Sequence, residues 1–276
     1  MDINGQNLAQ LTSNDFDDYA PKWSPDGKKI VFISNRNSHI DSLYIMDADG
    51  SNQTHLNTKP GDIPTDPEWS PDGRQIVFAT NTQHLFILNL ETGTLTELAS
   101  DMNVLSPSWS PDGKKLVFAY FSILNLLVNG IEIINQDGTD KTELKVRSAR
   151  GMPGITSWAP DGTKIAFGKI GIQYNSIDLG PFRQIAQQSG IQQILEKLQP
   201  GPSYTYLTFT MRPDGSDVQQ ITDQCSGGEW SPDGQWLICA SKENGNNDLY
   251  IVNVSSGNLF RLTDTSYNEI GPDWSP

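Results

Sequence analysis

PKWSPDGKKIVFIS, residues 21–34, decides the architecture, because it returns along the chain with its core letters intact. It reappears as PEWSPDGRQIVFAT (67–80), PSWSPDGKKLVFAY (107–120), TSWAPDGTKIAFGK (156–169) and GEWSPDGQWLICAS (228–241). A sixth copy, PDWSP, occupies residues 272–276. The tryptophans Trp23, Trp69, Trp109, Trp158, Trp230 and Trp274 are separated by 46, 40, 49, 72 and 44 residues. Apart from the fourth interval, this matches the period of about 40–45 residues of a four-stranded propeller blade.

Each repeat divides into four short strands, A to D. Strand A ends at the tryptophan. Strand B is the apolar run after the turn, and strand C reads SLYIMD, HLFILN, GIEIIN, YLTFTM and DLYIVN in the five units. Strand D is short and polar with one or two apolar anchors. Strands B and C are apolar at nearly every position, as expected of strands covered on both faces when sheets stack radially. The predicted fold is therefore all-β: a β-propeller of four-stranded antiparallel blades, five complete and a sixth incomplete, in one domain spanning 1–276.

The Ser-Pro-Asp-Gly letters have a mechanical explanation. Proline presets φ for the second position of a turn, Asp suits the third, and Gly takes the left-handed conformation that closes the hairpin. The five recurring aspartates, from Asp26 to Asp233, read as turn residues, and the tryptophans as packing between blades. Prolines at 21, 67, 107 and 272 stand two residues before a tryptophan. Proline cannot donate to a sheet ladder, so strand A is expected at the inner edge, facing the central channel.

Composition limits the function. The chain has 276 residues, a net charge of −14 and no apolar run long enough to span a membrane as a helix. Phosphate backbones and anionic membranes are poor partners for such a surface. The N-terminal residues carry no secretory-signal pattern. Cys225 and Cys239 are the only cysteines; Cys239 lies in an apolar run and reads as a small hydrophobe, and two cysteines do not settle the redox compartment. His39, His55 and His84 lack zinc-site spacing, and no nucleophile elbow, P-loop or dinucleotide fingerprint occurs. No catalytic residue and no cofactor is expected.

These repeats resemble those of the TolB-like propellers, a WD-repeat-like family, in the P-x-W-S-P-D-G unit, the following apolar strands, and the turns at Asp47, Gly50 and Asn52, Asp137-Gly138 and Asp214-Gly215. The resemblance implies six blades, binding of partner proteins of the bacterial envelope, and a periplasmic setting if the chain is part of a longer product. The repeat phase agrees: GQNLAQLT (5–12) reads as a strand D ahead of the first blade, and the sixth strand A comes last. Strands B and C of that sixth blade are missing, so an open gap is expected.

The SPDG turns make one face uniform, while B–C and D–A connections vary on the other, where binding is expected. Residues 169–205 are an insertion in blade 4, with an amphipathic helix predicted at about 182–199 that includes Phe182 and Ile185. The B–C connection of blade 3 carries Phe121, Ile123, Leu124, Leu126 and Leu127. Either the predicted helix covers this patch, or the two form a docking site. The D–A loops add Asp15, Phe16, Asp17, Asp18 and Tyr19 before the first blade, and Tyr267 and Glu269 after the fifth. Lys22, Glu68, Ser108, Ser157, Glu229 and Asp273, each just before a tryptophan, are placed at the channel mouth. Asp15, Asp17 and Asp18 form a weak calcium candidate, since Ca²⁺ takes oxygen ligands. The reading that follows is a non-catalytic protein-interaction scaffold. The alternatives are a recognition or sensor domain of a larger enzyme or receptor, and a glycan-processing propeller enzyme.

Overall fold

A computed structural model describes residues 6–58, 61–100, 103–121, 129–144, 152–173, 203–242 and 246–276. It contains five four-stranded antiparallel sheets, each paired in sequence order. Blade 1 comprises β1 (Asp18–Trp23), β2 (Lys29–Asn37), β3 (Ile40–Asp47) and β4 (Thr54–His55); blade 2 comprises β5 (Pro64–Trp69), β6 (Gln75–Thr80), β7 (Leu85–Asn89) and β8 (Leu95–Ala99). Blade 3 comprises β9 (Asn103–Trp109), β10 (Lys115–Phe121), β11 (Asn129–Asn135) and β12 (Thr142–Leu144). Blade 4 comprises β13 (Met152–Trp158), β14 (Ile165–Gln173), β15 (Ser203–Met211) and β16 (Gln219–Thr222). Blade 5 comprises β17 (Glu229–Trp230), β18 (Trp236–Ser241), β19 (Asp248–Asn253) and β20 (Leu259–Arg261).

The turn chemistry is as the repeat predicts. In blade 1 the Gly27 N–H donates to the Ser24 carbonyl at 2.9 Å. The Ser24 hydroxyl donates to Asp26 at 2.8 Å and accepts from the Lys29 N–H at 2.9 Å. Ser70 with Asp72, Ser110 with Asp112 and Ser231 with Asp233 repeat the first of these bonds. The serine hydroxyls hold Asp26, Asp72, Asp112 and Asp233 below the usual carboxylate range. These acids stabilise their own turns.

Blades stack through both apolar faces. Alternate residues of β2 split between neighbours: Val31 and Ile33 pack against Trp69, Ile76 and Phe78 of blade 2, while Ile30 and Phe32 pack with Tyr44, Met46 and Leu11 on the other side. Phe32, Phe78, Phe118 and Phe167, at one repeat position, are all fully buried. Neighbours are also pinned at the inner edge. The Trp69 indole N–H donates to the Lys22 carbonyl at 3.0 Å, and Trp230 to Ser157 at 3.1 Å. The Trp109 and Trp158 indole nitrogens are buried without an acceptor, so packing alone holds them.

The terminal segments take the positions of a sixth blade. The Trp274 indole donates to the Glu229 carbonyl at 3.1 Å, and the Trp23 N–H donates to Asp273 at 2.8 Å. Gly27 lies against Pro276 as Gly73 lies against Pro25 and Gly113 against Pro71. On the outer side the Leu11 carbonyl sits against Gly50, as Ile221 of strand D in blade 4 sits against Gly257. Residues 6–13 nevertheless form no strand, contrary to the strand D expected there. The flanking faces are not laid open either: Phe32 and Met46 of blade 1 and Ile238 and Ile251 of blade 5 are all buried.

Two further expectations need correction. Strands B and C of blade 4 continue past the expected limits, with Ile170 paired to Tyr206 and Gln173 to Ser203, so the insertion is shorter than 169–205. The predicted helix at 182–199, with Phe182 and Ile185, lies outside the described residues, as do Ile123, Leu124, Leu126 and Leu127. Cys239 is not a free thiol: it pairs with Cys225, with 6.2 Å between the Cα atoms. Cys239 occupies the repeat position filled by phenylalanine in the other four blades, and its bridge packs with Tyr250 and Leu259.

Two outcomes test this account. A Cβ at Gly168 would stand 2.6 Å from the Gly227 nitrogen and 2.5 Å from the Ser226 hydroxyl. Gly168→Ala is therefore expected to cost about 1–3 kcal/mol in urea unfolding, as overpacking does. Cys239→Ser should cost about 3 kcal/mol, the value for a bridge closing a loop of this length, and a reductant should lower the wild type by a similar amount while leaving the variant unchanged.

Candidate binding site

Strand A brings one residue per blade to the axis, the one just before the tryptophan. Lys22, Glu68, Ser108, Ser157, Glu229 and Asp273 line a cavity of about 320 Å³ on the tryptophan side of the channel. Lys22, Glu68 and Glu229 also line a second cavity of about 150 Å³ beyond it, with Asp66 and the prolines Pro21, Pro67, Pro107 and Pro272. The inner-edge position predicted for those prolines is thus observed.

A bulge in strand A lets these side chains reach the axis. Pairing shifts register between Tyr19 and Lys22 and between Thr65 and Glu68, and within β9 opposite Val117 and Ala119. The residue three before the tryptophan carries positive φ: 51° at Ala20, 47° at Asp66 and 44° at Ser106, where a side chain is strained. Glycine stands at the equivalent positions 227 and 271, with φ of 74° and 63°.

The channel holds one cation among several acids. Lys22 is the only basic side chain among the described residues lining either cavity. It contacts Glu229 directly, and Asp273 lies 3.7 Å away. Burial opposes its charge, but Glu229, Asp273 and Glu68 outweigh burial and raise its pKa. Burial pushes the Glu68 carboxyl up to about 8 despite the attraction of Lys22. Burial likewise raises Asp66 and Asp273. Glu68 accepts the Trp109 N–H at 3.2 Å and the Ser108 hydroxyl at 3.3 Å, so it also ties blade 2 to blade 3.

The D–A loop residues gather at a second place. A cleft of about 900 Å³ opens between blades 5 and 1, lined by Phe16, Asp17, Asp18, Tyr19 and Glu269 together with Leu8, Leu249 and Ile270. Asp18 pairs with Arg36 at 2.8 Å; burial works to raise its carboxyl, but bonds from Ser34, Arg36, Asn14 and Thr12 hold it below the usual range. Asp17 accepts the Asn35 amide at 3.1 Å. The Tyr19 phenol is pushed up to about 12 by burial and by Asp41. Asp15 and Tyr267 are exposed nearby in sequence. Among the described residues no group of three or more His, Cys, Asp or Glu side chains is arranged to hold a metal ion, so Asp15, Asp17 and Asp18 form no calcium cage. Phe121, at the end of β10, is part-buried and belongs to neither place.

The histidines are dispersed. His39 packs 5.9 Å from Phe16, His55 packs 5.2 Å from Tyr44, and His84 lies 3.1 Å from Glu97. Sequence reading set Lys22 at the channel mouth with the acids but missed its ion pair with Glu229, the bulge residues and the cysteine bridge. The two glycines at the bulge position were the available signal for the second of these.

Comparison with known proteins shows what the chain resembles. Residues 37–171 match the family model described as a TolB beta propeller domain. Among solved structures, TolB from Acinetobacter baumannii superposes with a TM-score of 0.74 at 18% identity, over 99% of this chain and 61% of that one. A putative TolB from Agrobacterium tumefaciens gives 0.67 at 20% identity, over 92% and 83% of the two chains. An oligogalacturonate lyase from Vibrio parahaemolyticus gives 0.56 at 15% identity, over 93% and 81%. The fold of this chain is a β-propeller similar to those of the TolB structures. The chain spans 61% of the length of the A. baumannii protein. No helix of the described residues is long and apolar enough to cross a membrane.

The Glu68 environment gives a pH test. A carboxyl raised from 4.5 to about 8 contributes stability that is full below about 4.5 and is lost as pH rises through about 8. Glu68→Gln keeps the acceptor oxygen and removes the charge. At pH 9 the variant is expected to melt at least about 3 °C above wild type, the shift ~1 kcal/mol gives in a domain of this size. Near pH 4.5 the difference should shrink towards zero.

Proposed function

We propose that this propeller is a non-catalytic protein-interaction scaffold that binds through the face carrying the B–C and D–A connections. The observation that carries the reading is the contrast between the two faces. The A–B turns are short, self-bonded and alike in every blade. The opposite face holds the cleft, where exposed Phe16, Leu8 and Ile270 meet acidic loops. Apolar surface left in contact with water on a rigid frame is what partner binding uses. The likeness to TolB propellers supports this reading.

A second reading, glycan processing, is favoured by the likeness to the oligogalacturonate lyase. The two readings separate in one set of measurements. A photo-crosslinking residue at Phe16 is expected to capture a discrete partner protein from extracts of the producing cells. The same residue at Lys28, an exposed position on the A–B face, should capture none. Capture from Lys28 alone, or equal capture from both, overturns the proposed face. Cleavage of oligogalacturonides that disappears with His39→Ala or His84→Ala would replace the scaffold by an enzyme.

A further inference from the structure

The cleft between blades 5 and 1 gathers exposed apolar side chains of the described residues. Of the six large hydrophobic residues exposed among the described ones, Leu8 (81%), Phe16 (38%) and Ile270 (63%) line it. Tyr267, 77% exposed, lies in the loop that also supplies Asn268 and Glu269 to its wall. Such concentration is not expected of scattered surface residues. The cleft floor adds Leu249 and Leu262, and its volume of about 900 Å³ is near the upper end for recognition pockets.

Its charge is one-sided. The lining contains Asp17, Asp18, Asp264 and Glu269 but no Lys, Arg or His. Arg36 neutralises Asp18 at 2.8 Å and Arg261 neutralises Asp264 at 2.6 Å, both from outside the cleft. Asp17 and Glu269 instead accept from neutral groups, Asn35 for the first and Thr263 and Thr265 for the second. Two anionic groups thus remain beside an apolar floor. Residues 8–17 and 262–276, which form much of the wall, belong to no strand, and only part of their backbone is bonded, as where the Leu262 N–H meets the Leu249 carbonyl and the Glu269 N–H the Asn247 carbonyl. An extended chain lying along such a wall places alternate side chains into the floor.

We infer that this cleft is a docking groove for an extended peptide segment of a partner protein, with two or three apolar side chains flanked by Lys or Arg. The inference rests on the scaffold reading and names the partner chemistry for it. A second copy of this chain is disfavoured as occupant, because each copy carries a net charge of −14 and would present more acid to an acidic rim.

The test is a selection with the full 276-residue chain from two decapeptide libraries, one with fixed Lys/Arg beside variable apolar positions and one with Glu in their place. Enrichment is expected from the basic library alone. Leu8→Ser with Ile270→Ser should weaken the selected peptides at least about tenfold while leaving the melting temperature unchanged, since both residues are exposed. Asp17→Asn with Glu269→Gln should weaken them by about threefold or more and flatten their salt dependence, as screened charge pairs require. No enrichment, enrichment from the acidic library, or peptides indifferent to the Leu8 and Ile270 substitutions would overturn the groove. So would a dimer in analytical ultracentrifugation that Leu8→Ser dissociates, since the occupant is then a second copy. If the groove fails while crosslinking from Phe16 still captures a partner, the scaffold reading stands without it.

Discussion

Everything in this molecule depends on one blade holding the next. A four-stranded sheet whose middle strands are apolar on both faces cannot stay dry alone; it needs a neighbour on each side. The tryptophan at the end of strand A supplies both parts of the contact. Its ring fills the space between sheets, and where its N–H finds the preceding blade's carbonyl, as at Trp69, Trp230 and Trp274, it fixes register as well as distance. The Trp23 backbone N–H bonds instead to the Asp273 carboxylate, as the Trp109 N–H bonds to Glu68, and so joins blade 1 to the C-terminal segment.

This construction frees one position for chemistry. The residue before each tryptophan lies at the axis, and where its side chain is an acceptor, as at Glu68, Ser108 and Asp273, it takes the backbone N–H of the next tryptophan. Lysine, glutamate, serine and aspartate all occur at this position, so channel charge varies from blade to blade. The result is a buried cation shared among acids. Such a cluster is a poor source of stability, since burying ions costs several kcal/mol each before their attraction is counted. Glu68 shows this cost directly, held up to about 8 even with Lys22 beside it.

The fold was legible because the repeat is written in residues with narrow conformational uses: Pro, Gly and the Ser–Asp pair in the turn, Trp at the strand end, β-branched and aromatic residues in the middle. The same reading placed the D–A loop acids and Phe16 on one face. What it lost follows from contacts between distant residues. Nothing local says that Cys225 reaches Cys239, for the bridge joins a loop to strand B where the other blades carry phenylalanine. Ala20, Asp66 and Ser106 give no hint of positive φ, since only Gly227 and Gly271 carry the residue that conformation favours. Leu8 was read as part of a strand, yet it is among the most exposed apolar side chains described, because its segment packs one residue, Leu11, against blade 1 and leaves the rest outside.

That last point bears on where recognition can arise. In the described parts of blades 1 to 5 the apolar residues of strands B and C are mostly covered by neighbouring sheets, and four of the turn acids bond their own serines. Between blades 5 and 1 the two terminal segments cover the flanking faces, burying Phe32 and Ile251, but they do so without forming a sheet. A covering that is not a sheet leaves backbone outside any ladder and apolar side chains outside any interface. The regularity of the described blades keeps their apolar strands covered, and its interruption between blades 5 and 1 brings apolar surface and unneutralised acid together in one groove.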